Sequence, residues 1–361
     1  MSTRMYRIVS EACLVGMAIT VILAQPGCSS AEDPSRALAD YRLAVAQALG
    51  LNAGDLPDYP PFALDYPKKL ARTVAVSEVN VGLRNFWAFK HCGLRAAIAG
   101  RNTALGRAPS AVVQMPYEHD LLFALEQCAA AVDRSELSAE VAKVLDEVRG
   151  RKIETRAAVF WNGTFGSGEF VRLFSPSARA LGAQAGVSQV PTAEIDFLRR
   201  FRHEFGRVAS QDIQATLAWA YQGLEVSEYG GSLLKSLHEA NFYLDQINGL
   251  LGKRLAQGKV CLMAAPNRGA RELEGAFRRY HIRVIQPYLA TVGRTGRGWI
   301  QSVGQLAQDQ STVMPIGFKP FYQRYLNDQN PDGLWQQHLR AVGEHARLWS
   351  ALFEQCGIAL R

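Results

Sequence analysis

The chain has 361 residues, with 40 lysines and arginines against 33 aspartates and glutamates, which gives a net charge of +7 at neutral pH. That length is sufficient for one large domain or for two packed domains. The cationic residues are spread along the chain and form no basic cluster with interleaved aromatic residues. We therefore expect no nucleic-acid partner.

The amino-terminal 28 residues have the pattern of an export signal. Arg4 and Arg7 precede an uncharged apolar run at residues 12–24, and Cys28 follows shortly after it. A positive segment, a short hydrophobic core and a small residue before a cysteine are typical of a signal peptide. The run is shorter than the about 20 apolar residues that a transmembrane helix needs.

We expect residues 1–27 to be removed as a lipoprotein signal peptide, Cys28 to receive the lipid, and residues 28–33 to form a lipidated tether. Several acyl chains would hold the protein stably on a membrane. Because Ser29 rather than aspartate follows the cysteine, similarity to the sorting rule of enteric-type bacteria favours the outer membrane over the inner, facing the periplasm. Cleavage after Ala31 followed by secretion, and an uncleaved anchor, are the alternatives.

The first half of the remaining chain has the pattern of helices. Asp33 and Pro34 form a helix start, and Gly50 ends that helix. The segment 51–67 is rich in proline and is expected to be an extended connector. Further helices are predicted near residues 77–91, 94–99, 110–131 and from 138 onward.

The second half is also predicted to be helical. A segment rich in Ser, Ala and Gly at residues 175–191 is the expected boundary between two packed helical halves. Gly230–Gly231 is expected to separate two helices, Gly293–Gly298 to form a flexible basic loop, and Asp332 to cap the last helix. Alternation with a period of two residues is absent, so residues 34–361 are predicted to form an all-α, multi-helix globular domain. Its helices are expected near 192–206, 209–225, 231–257, 268–286, 298–309 and 332–355.

Besides Cys28, four cysteines follow the signal: Cys92, Cys128, Cys261 and Cys356. An even number of cysteines in an oxidising compartment indicates two disulfides, for which three pairings exist. We favour Cys92–Cys128 and Cys261–Cys356, since each pair lies within one half of the chain. Four buried thiols are the alternative.

No motif in the sequence establishes catalysis or metal binding. Ser232 and Lys235 have the Ser-x-x-Lys spacing of penicillin-recognising enzymes, but the Lys-(Thr/Ser)-Gly strand of those enzymes is missing. Three histidine–carboxylate pairs, which begin at His119, His203 and His238, lack a second histidine at helical spacing. We therefore expect no catalytic residue, no metal and no cofactor.

A set of polar and aromatic residues beside glycines or helix ends is the candidate binding site. Trp161 beside Asn162 could form a platform for a carbohydrate, and an arginine–glutamate pair could be buried within the set. The alternative is an internal hydrogen-bond network that orders the turns between helices. The set comprises Arg101, Asn102, Tyr117, Glu118, Trp161, Asn162 and Tyr229.

Several of these residues lie in short segments whose content and order match one known family. Through them the sequence resembles an uncharacterised bacterial lipoprotein family, domain of unknown function 3080, over most of residues 34–357. The resemblance implies an exported helical protein and transfers no catalytic residue. The matching segments are residues 92–94, 101–107, 109–110, 117–118, 128, 159–164, 229–234, 286–289 and 355–357.

We expect from this pattern a non-enzymatic lipoprotein of the cell envelope. Its helical body would bind or organise an envelope protein or a glycan, and its membrane contact would be the lipid on Cys28. A binding module for a glycan or peptidoglycan fragment is the first alternative. A serine hydrolase that uses Ser232 and Lys235 is the second.

Overall fold

The computed structural model describes residues 33–52, 54, 56–76, 94, 98–99, 110–131, 138–182, 190–209, 212–261 and 265–359. These residues form helices and connecting turns without a β-strand, which confirms the predicted all-α fold. The α-helices in chain order are α1 (Pro34–Ala48), α2 (Lys69–Arg72), α3 (Ala111–Ala131), α4 (Ala139–Gly163), α5 (Gly168–Leu173), α6 (Thr192–Glu204), α7 (Ile213–Ser227), α8 (Tyr229–Ala256), α9 (Arg268–Ala276), α10 (Gln286–Gln308), α11 (Lys319–Phe321) and α12 (Leu334–Gln355). Between them lie two π-helical segments, Phe277–Ile285 and Tyr322–Leu326, and a 3-10 turn, Ile316–Phe318.

Local capping explains two of the helix starts. The Asp33 side chain accepts a hydrogen bond of 3.1 Å from the Ser35 N–H, and Pro34 occupies the first turn of α1. The Ser138 side chain likewise accepts a hydrogen bond from the Val141 N–H at the start of α4. Both starts agree with the sequence prediction, because a short polar side chain supplies a partner that the first amides of a helix lack.

The proline-rich connector after α1 is fixed to the body by aromatic side chains. Tyr59 stacks on Tyr243 of α8 with ring centroids 5.7 Å apart, and Tyr66 stacks on Phe174 with centroids 5.3 Å apart. Apart from the single turn α2 at its end, the described part of the connector contains no α-helix, as its prolines predicted.

One large core contains residues from both sides of the predicted boundary at 175–191, within which residues 183–189 lie outside the described ranges. Tyr41, Trp299 and Trp349 are among its largest fully buried side chains. A smaller core lies between α3 and α4 and contains Leu94, Leu121, Leu125, Cys128, Val141, Leu145 and Val148.

Residues Glu32–Arg361 form one compact unit with its own hydrophobic core. A unit of this size and burial is typical of an independent domain, so we expect it to fold without the residues that precede it. None of the helices within the described ranges has the length and apolar character that crossing a membrane requires.

A disulfide between Cys261 and Cys356 joins the segment after α8 to the end of α12, as the sequence predicted. Cys128 is buried in the smaller core. Its predicted partner Cys92 lies outside the described residues, so the Cys92–Cys128 pairing stays a prediction.

The predicted break at Gly230 and Gly231 is wrong. The chain breaks between α7 and α8 at Glu228, whose φ of 44° is left-handed. Both glycines belong to the first turn of α8. A Cβ at Gly231 would clash with the Ser175 carbonyl oxygen, and a Cβ at Gly230 would lie 2.8 Å from the Phe174 ring. Close packing, rather than a turn, therefore requires glycine here.

The predicted flexible loop at Gly293–Gly298 is also wrong, because α10 continues through this segment without interruption. Gly296 lies where α10 packs closely on α8, since a Cβ at this position would be 2.9 Å from Leu233 Cδ1. The glycines that favour a loop are thus part of α10, which packing against α8 stabilises as a helix.

The last helix begins later than predicted. α12 starts at Leu334, and Gly333 occupies the cap position without a capping side chain. Asp332 precedes this position, and its carbonyl oxygen accepts a hydrogen bond of 2.9 Å from Gln337 Nε2. Asp332 therefore does not cap α12.

Candidate functional site

The structure distributes the predicted set of polar and aromatic residues over several places. Arg101 and Asn102 lie outside the described residues. Glu118 of α3 forms an ion pair of 2.8 Å with Lys152 of α4, and both side chains are largely buried. Tyr117 is partly buried against the smaller core. Tyr117 and Glu118 therefore belong to the interface between α3 and α4.

Trp161 and Asn162 make internal contacts at the end of α4. The Trp161 ring is fully buried, and its Nε1–H donates a hydrogen bond of 2.7 Å to the Arg72 carbonyl oxygen. The Asn162 Oδ1 accepts from the Val74 N–H at 2.8 Å, while its Nδ2 donates to the Val74 carbonyl oxygen at 2.7 Å. In this arrangement the two side chains hold residues 72–74 in place, so the ring presents no face to a carbohydrate.

Tyr229 contacts two residues of α10, Thr295 and Trp299, that line a cleft. Its hydroxyl donates a hydrogen bond of 3.0 Å to Thr295 Oγ1, and its ring meets the Trp299 ring edge-on with centroids 5.2 Å apart. Burial raises the pKa of the Tyr229 hydroxyl above its usual value, so this group stays protonated and remains a donor. Among the members of the predicted set that the structure describes, Tyr229 is the one that contacts residues lining the cleft.

The cleft lies between α6 and α10 and has a volume of about 530 Å³. Helical periodicity produces it. α6 buries Ile195 and Leu198, and α10 buries Trp299 and Val303, which leaves polar side chains along the edges where the two helices meet. The lining residues are Val190, Thr192, Arg199, Arg294, Thr295, Gly298, Trp299, Gln301, Ser302 and Gln305.

The cleft contains more positive than negative charge. Arg199 Nη1 lies 3.7 Å from Asp196 Oδ1, and the same oxygen accepts a hydrogen bond of 2.9 Å from Ser302 Oγ. Arg294 is exposed at the other end and forms no ion pair with any described residue. α10 itself contains no aspartate or glutamate. The lining therefore contains two guanidinium groups, and the Asp196 carboxylate lies beside that of Arg199.

Two buried donors beside the cleft have no partner. Arg199 Nε and Trp299 Nε1 are both inaccessible to solvent and form no hydrogen bond within the described part of the chain. An unpaired buried N–H group costs about 1–3 kcal/mol. Such groups are rare in folded proteins and need a specific explanation. Five other buried side-chain atoms among the described residues also lack a partner, one of them Trp349 Nε1, so the two donors do not by themselves indicate a ligand.

The Ser232–Lys235 motif and the histidine–carboxylate pairs do not form a catalytic or metal-binding arrangement among the described residues. Lys235 Nζ lies 3.5 Å from the Ala178 carbonyl oxygen, and no hydrogen bond between described residues joins it to Ser232. His119 accepts a hydrogen bond of 3.0 Å from the Gly206 N–H within the core. Among the residues that the structure describes, no three His, Cys, Asp or Glu side chains are grouped as a metal site.

The comparison with known families matches residues 38–360 to a family described as "Protein of unknown function (DUF3080)". This chain belongs to the DUF3080 family. No curated protein and no solved structure matches the chain. The family description assigns no activity, so any function of this DUF3080 protein must be argued from its own geometry.

The sequence pattern of this DUF3080 protein does not reveal the cleft, because the glycines of Gly293–Gly298 favour a loop. Thr295 and Ser302 are seven residues apart in sequence. Because α10 is helical at both positions, they share a face with Gly298 and Gln305. The spacing of the hydroxyl residues at 295 and 302 was the available signal.

Proposed function

We propose that this protein is an exported lipoprotein, tethered to a membrane by a lipid on Cys28, whose cleft between α6 and α10 binds an acidic glycan fragment of the cell envelope. The observation that carries the binding proposal is the charge of the cleft lining, which contains the guanidinium groups of Arg199 and Arg294 and no carboxylate. The tether is supported by the export signal that ends at Cys28.

The chemistry of the lining suits an acidic sugar. A guanidinium binds a carboxylate through two parallel hydrogen bonds, and Arg199 and Arg294 both line the cleft. Hydroxyl and amide side chains, among them Thr192 and Gln301, are the groups that bind sugar hydroxyls. The volume falls within the range of about 300–1,000 Å³ that is usual for small-molecule sites. A peptidoglycan fragment with a free carboxylate combines these features.

The length of the tether would place the helical body beside the membrane. Asp33, which caps α1, lies five positions after Cys28, and a fully extended chain spans at most about 18 Å over five residue steps. A body held this close samples envelope ligands near the membrane surface.

Titration calorimetry with N-acetylmuramic acid and with neutral N-acetylglucosamine tests the binding. We expect the acidic sugar to bind and the Arg199→Gln variant to bind it roughly tenfold to hundredfold more weakly, since a hydrogen bond to a charged group contributes about 1.5–3 kcal/mol. Arg200→Gln is the matched control, because Arg200 is exposed on the same helix and does not line the cleft. Equal affinity of both variants would refute the site.

A steric variant gives an independent test. Gly298 lines the cleft and a Cβ at this position meets no atom within 4 Å, so Gly298→Leu adds an apolar side chain to the lining without a clash at Cβ. We expect this variant to lose the ligand and to unfold no earlier than the wild type, because leucine favours a helix more than glycine does. Gly293→Leu is the control, since a Cβ there also meets no atom within 4 Å and Gly293 does not line the cleft.

The tether has its own test. Intact-mass analysis of protein purified from membranes should show a species that begins at Cys28 and carries acyl chains, and Cys28→Ser should release the protein into the aqueous fraction. A mature protein that begins at Glu32 without an acyl chain would refute the tether and leave the binding proposal standing.

A further inference from the structure

Two aliphatic side chains are almost completely exposed on adjacent elements. Leu70 of α2 is 95% exposed and Ile316 of the 3-10 turn is 83% exposed, the highest values for large apolar side chains among the described residues. The two elements touch, because a Cβ at Gly317 would lie 2.8 Å from the Cβ of Ala71. We call these two elements together, Lys69–Arg72 and Ile316–Phe318, the apolar tip.

The apolar tip is held firmly from below. Phe318 is fully buried, and its ring lies 5.1 Å from the Trp161 ring and 5.3 Å from the Phe165 ring. The Arg72 carbonyl oxygen accepts the hydrogen bond from Trp161 Nε1, and Arg72 Nε donates to the Gly166 carbonyl oxygen at 3.3 Å. These contacts anchor both elements of the apolar tip to the core beneath Leu70 and Ile316.

Lysines surround the apolar tip. Lys68 and Lys69 precede Leu70, Lys319 follows the 3-10 turn, and all three are exposed. Within the described part of the chain, no carboxylate forms an ion pair with any of them. Exposed aliphatic side chains ringed by lysines are typical of surfaces that bind the headgroup region of anionic membranes, where the lysines attract the lipid phosphates and the aliphatic groups enter the acyl boundary.

We propose that the apolar tip docks onto an anionic phospholipid surface, with Leu70 and Ile316 inserted and Lys68, Lys69 and Lys319 against the headgroups. This inference adds a second membrane contact to the lipid tether of the proposed function and rests on it only for the nearness of the membrane. A weak docking site suffices there, because a tethered site binds at a high effective concentration. In this orientation Trp161 and Asn162 serve the membrane contact by holding its base.

Co-sedimentation with lipid vesicles tests the docking. Residues 32–361, which form a compact unit and lack the lipid, are mixed with vesicles of phosphatidylglycerol and phosphatidylethanolamine or of phosphatidylcholine alone. We expect binding to the anionic vesicles, reduced by high salt, and at least tenfold weaker binding by the Leu70→Ser/Ile316→Ser variant. Val208→Ser/Val226→Ser is the matched control, since both valines are exposed on other elements.

The outcomes separate the alternatives. Both double variants change exposed positions, so each should unfold at the wild-type temperature. Equal vesicle binding by the tip variant and the wild type, or no binding by either, would overturn the proposal. A wild-type dimer in size-exclusion chromatography that becomes monomeric in the tip variant would also overturn it, in favour of a second copy of the chain. An unlipidated Cys28 together with vesicle binding by residues 32–361 would refute the tether and support the docking.

Discussion

His345 of α12 and Asn248 of α8 are joined by a hydrogen bond of 2.9 Å between Nδ1 and Oδ1. Seven residues earlier on each helix, His338 Nδ1 lies 2.9 Å from the side-chain amide of Asn241. Contacts that advance in the same direction on both helices require the helices to run parallel, and a seven-residue repeat is the spacing of coiled-coil packing. A polar pair repeated in this way fixes the register of α8 against α12.

The hydrogen bonds around His345 define its charge state. Asn248 Nδ2 donates to the Ala341 carbonyl oxygen at 2.9 Å, so its Oδ1 is left to accept from His345 Nδ1–H. His345 Nε2, which lies 3.1 Å from the Tyr41 hydroxyl, then accepts from it. The ring is therefore neutral. Burial, with a smaller effect from neighbouring His281, lowers the pKa of His345 to about 3.

The buried histidines predict a loss of stability in mild acid. Burial also lowers the pKa of His281 and of His338 to about 4, whereas an unfolded histidine titrates near pH 6.5. Between pH 6.5 and 4 these histidines are protonated in the unfolded chain and neutral in the folded chain. The stability that each neutral histidine contributes is therefore fully present above pH 6.5. Below that pH, the free energy of unfolding falls by up to about 1.4 kcal/mol per histidine for each pH unit, until the pKa of the folded state is reached.

Urea unfolding between pH 7.5 and 4.5 measures this effect. We expect the free energy of unfolding to fall less steeply with pH in His345→Gln than in the wild type, although the variant is less stable at pH 7.5. His203→Gln is the matched control for the histidine-to-glutamine change, because His203 is exposed on α6. Identical slopes for wild type and His345→Gln would contradict the argument.

The Cys261–Cys356 disulfide should be a major source of stability. It closes a loop of 95 residues, for which the chain-entropy model gives about 4.7 kcal/mol, and native disulfides measured by removal typically contribute about 2–5 kcal/mol. We expect Cys261→Ala/Cys356→Ala to lower the free energy of unfolding by an amount in that range, as measured by urea titration without reductant. A change below about 1 kcal/mol would contradict this expectation and show that the unfolded variant retains contacts that keep positions 261 and 356 close.

Features encoded locally were predictable from the sequence. The cap at Asp33, the cap at Ser138 and the proline-rich connector each depend on residues within a few positions of one another. The Cys261–Cys356 pairing followed from the number and grouping of the cysteines.

Features that depend on distant packing were not predictable in the same way. The low helix propensity of Gly296 favours a loop, yet this glycine lies within a helix, where it allows close packing against Leu233 of α8. Trp161 and Asn162 looked like a polar platform because their partners, the backbone groups of Arg72 and Val74, lie nearly ninety positions away. The cleft between α6 and α10 exists only once both helices are placed together.

The side chain of Asn162 should contribute to stability through its two hydrogen bonds with Val74. Asn162→Ala leaves the Val74 N–H and carbonyl without partners, for which we expect a loss of about 1–3 kcal/mol in urea unfolding. Asn162→Asp keeps the acceptor for the N–H, so we expect a smaller loss at neutral pH. Limited proteolysis should cleave near residues 73–76 faster in Asn162→Ala than in Asn162→Asp. Equal rates would show that residues 72–74 are held by other contacts.

Trp161 should matter for stability and not for binding in the cleft. Trp161→Ala removes a fully buried ring and is expected to cost about 3–5 kcal/mol, while Trp161→Phe retains most of the packing and loses the hydrogen bond to Arg72, for about 1–3 kcal/mol. Because Trp161 does not line the cleft, Trp161→Phe should bind N-acetylmuramic acid as the wild type does. Calorimetry on the folded variant at low temperature measures this directly. Loss of the ligand in Trp161→Phe with retention in Arg199→Gln would move the binding site from the cleft to the end of α4.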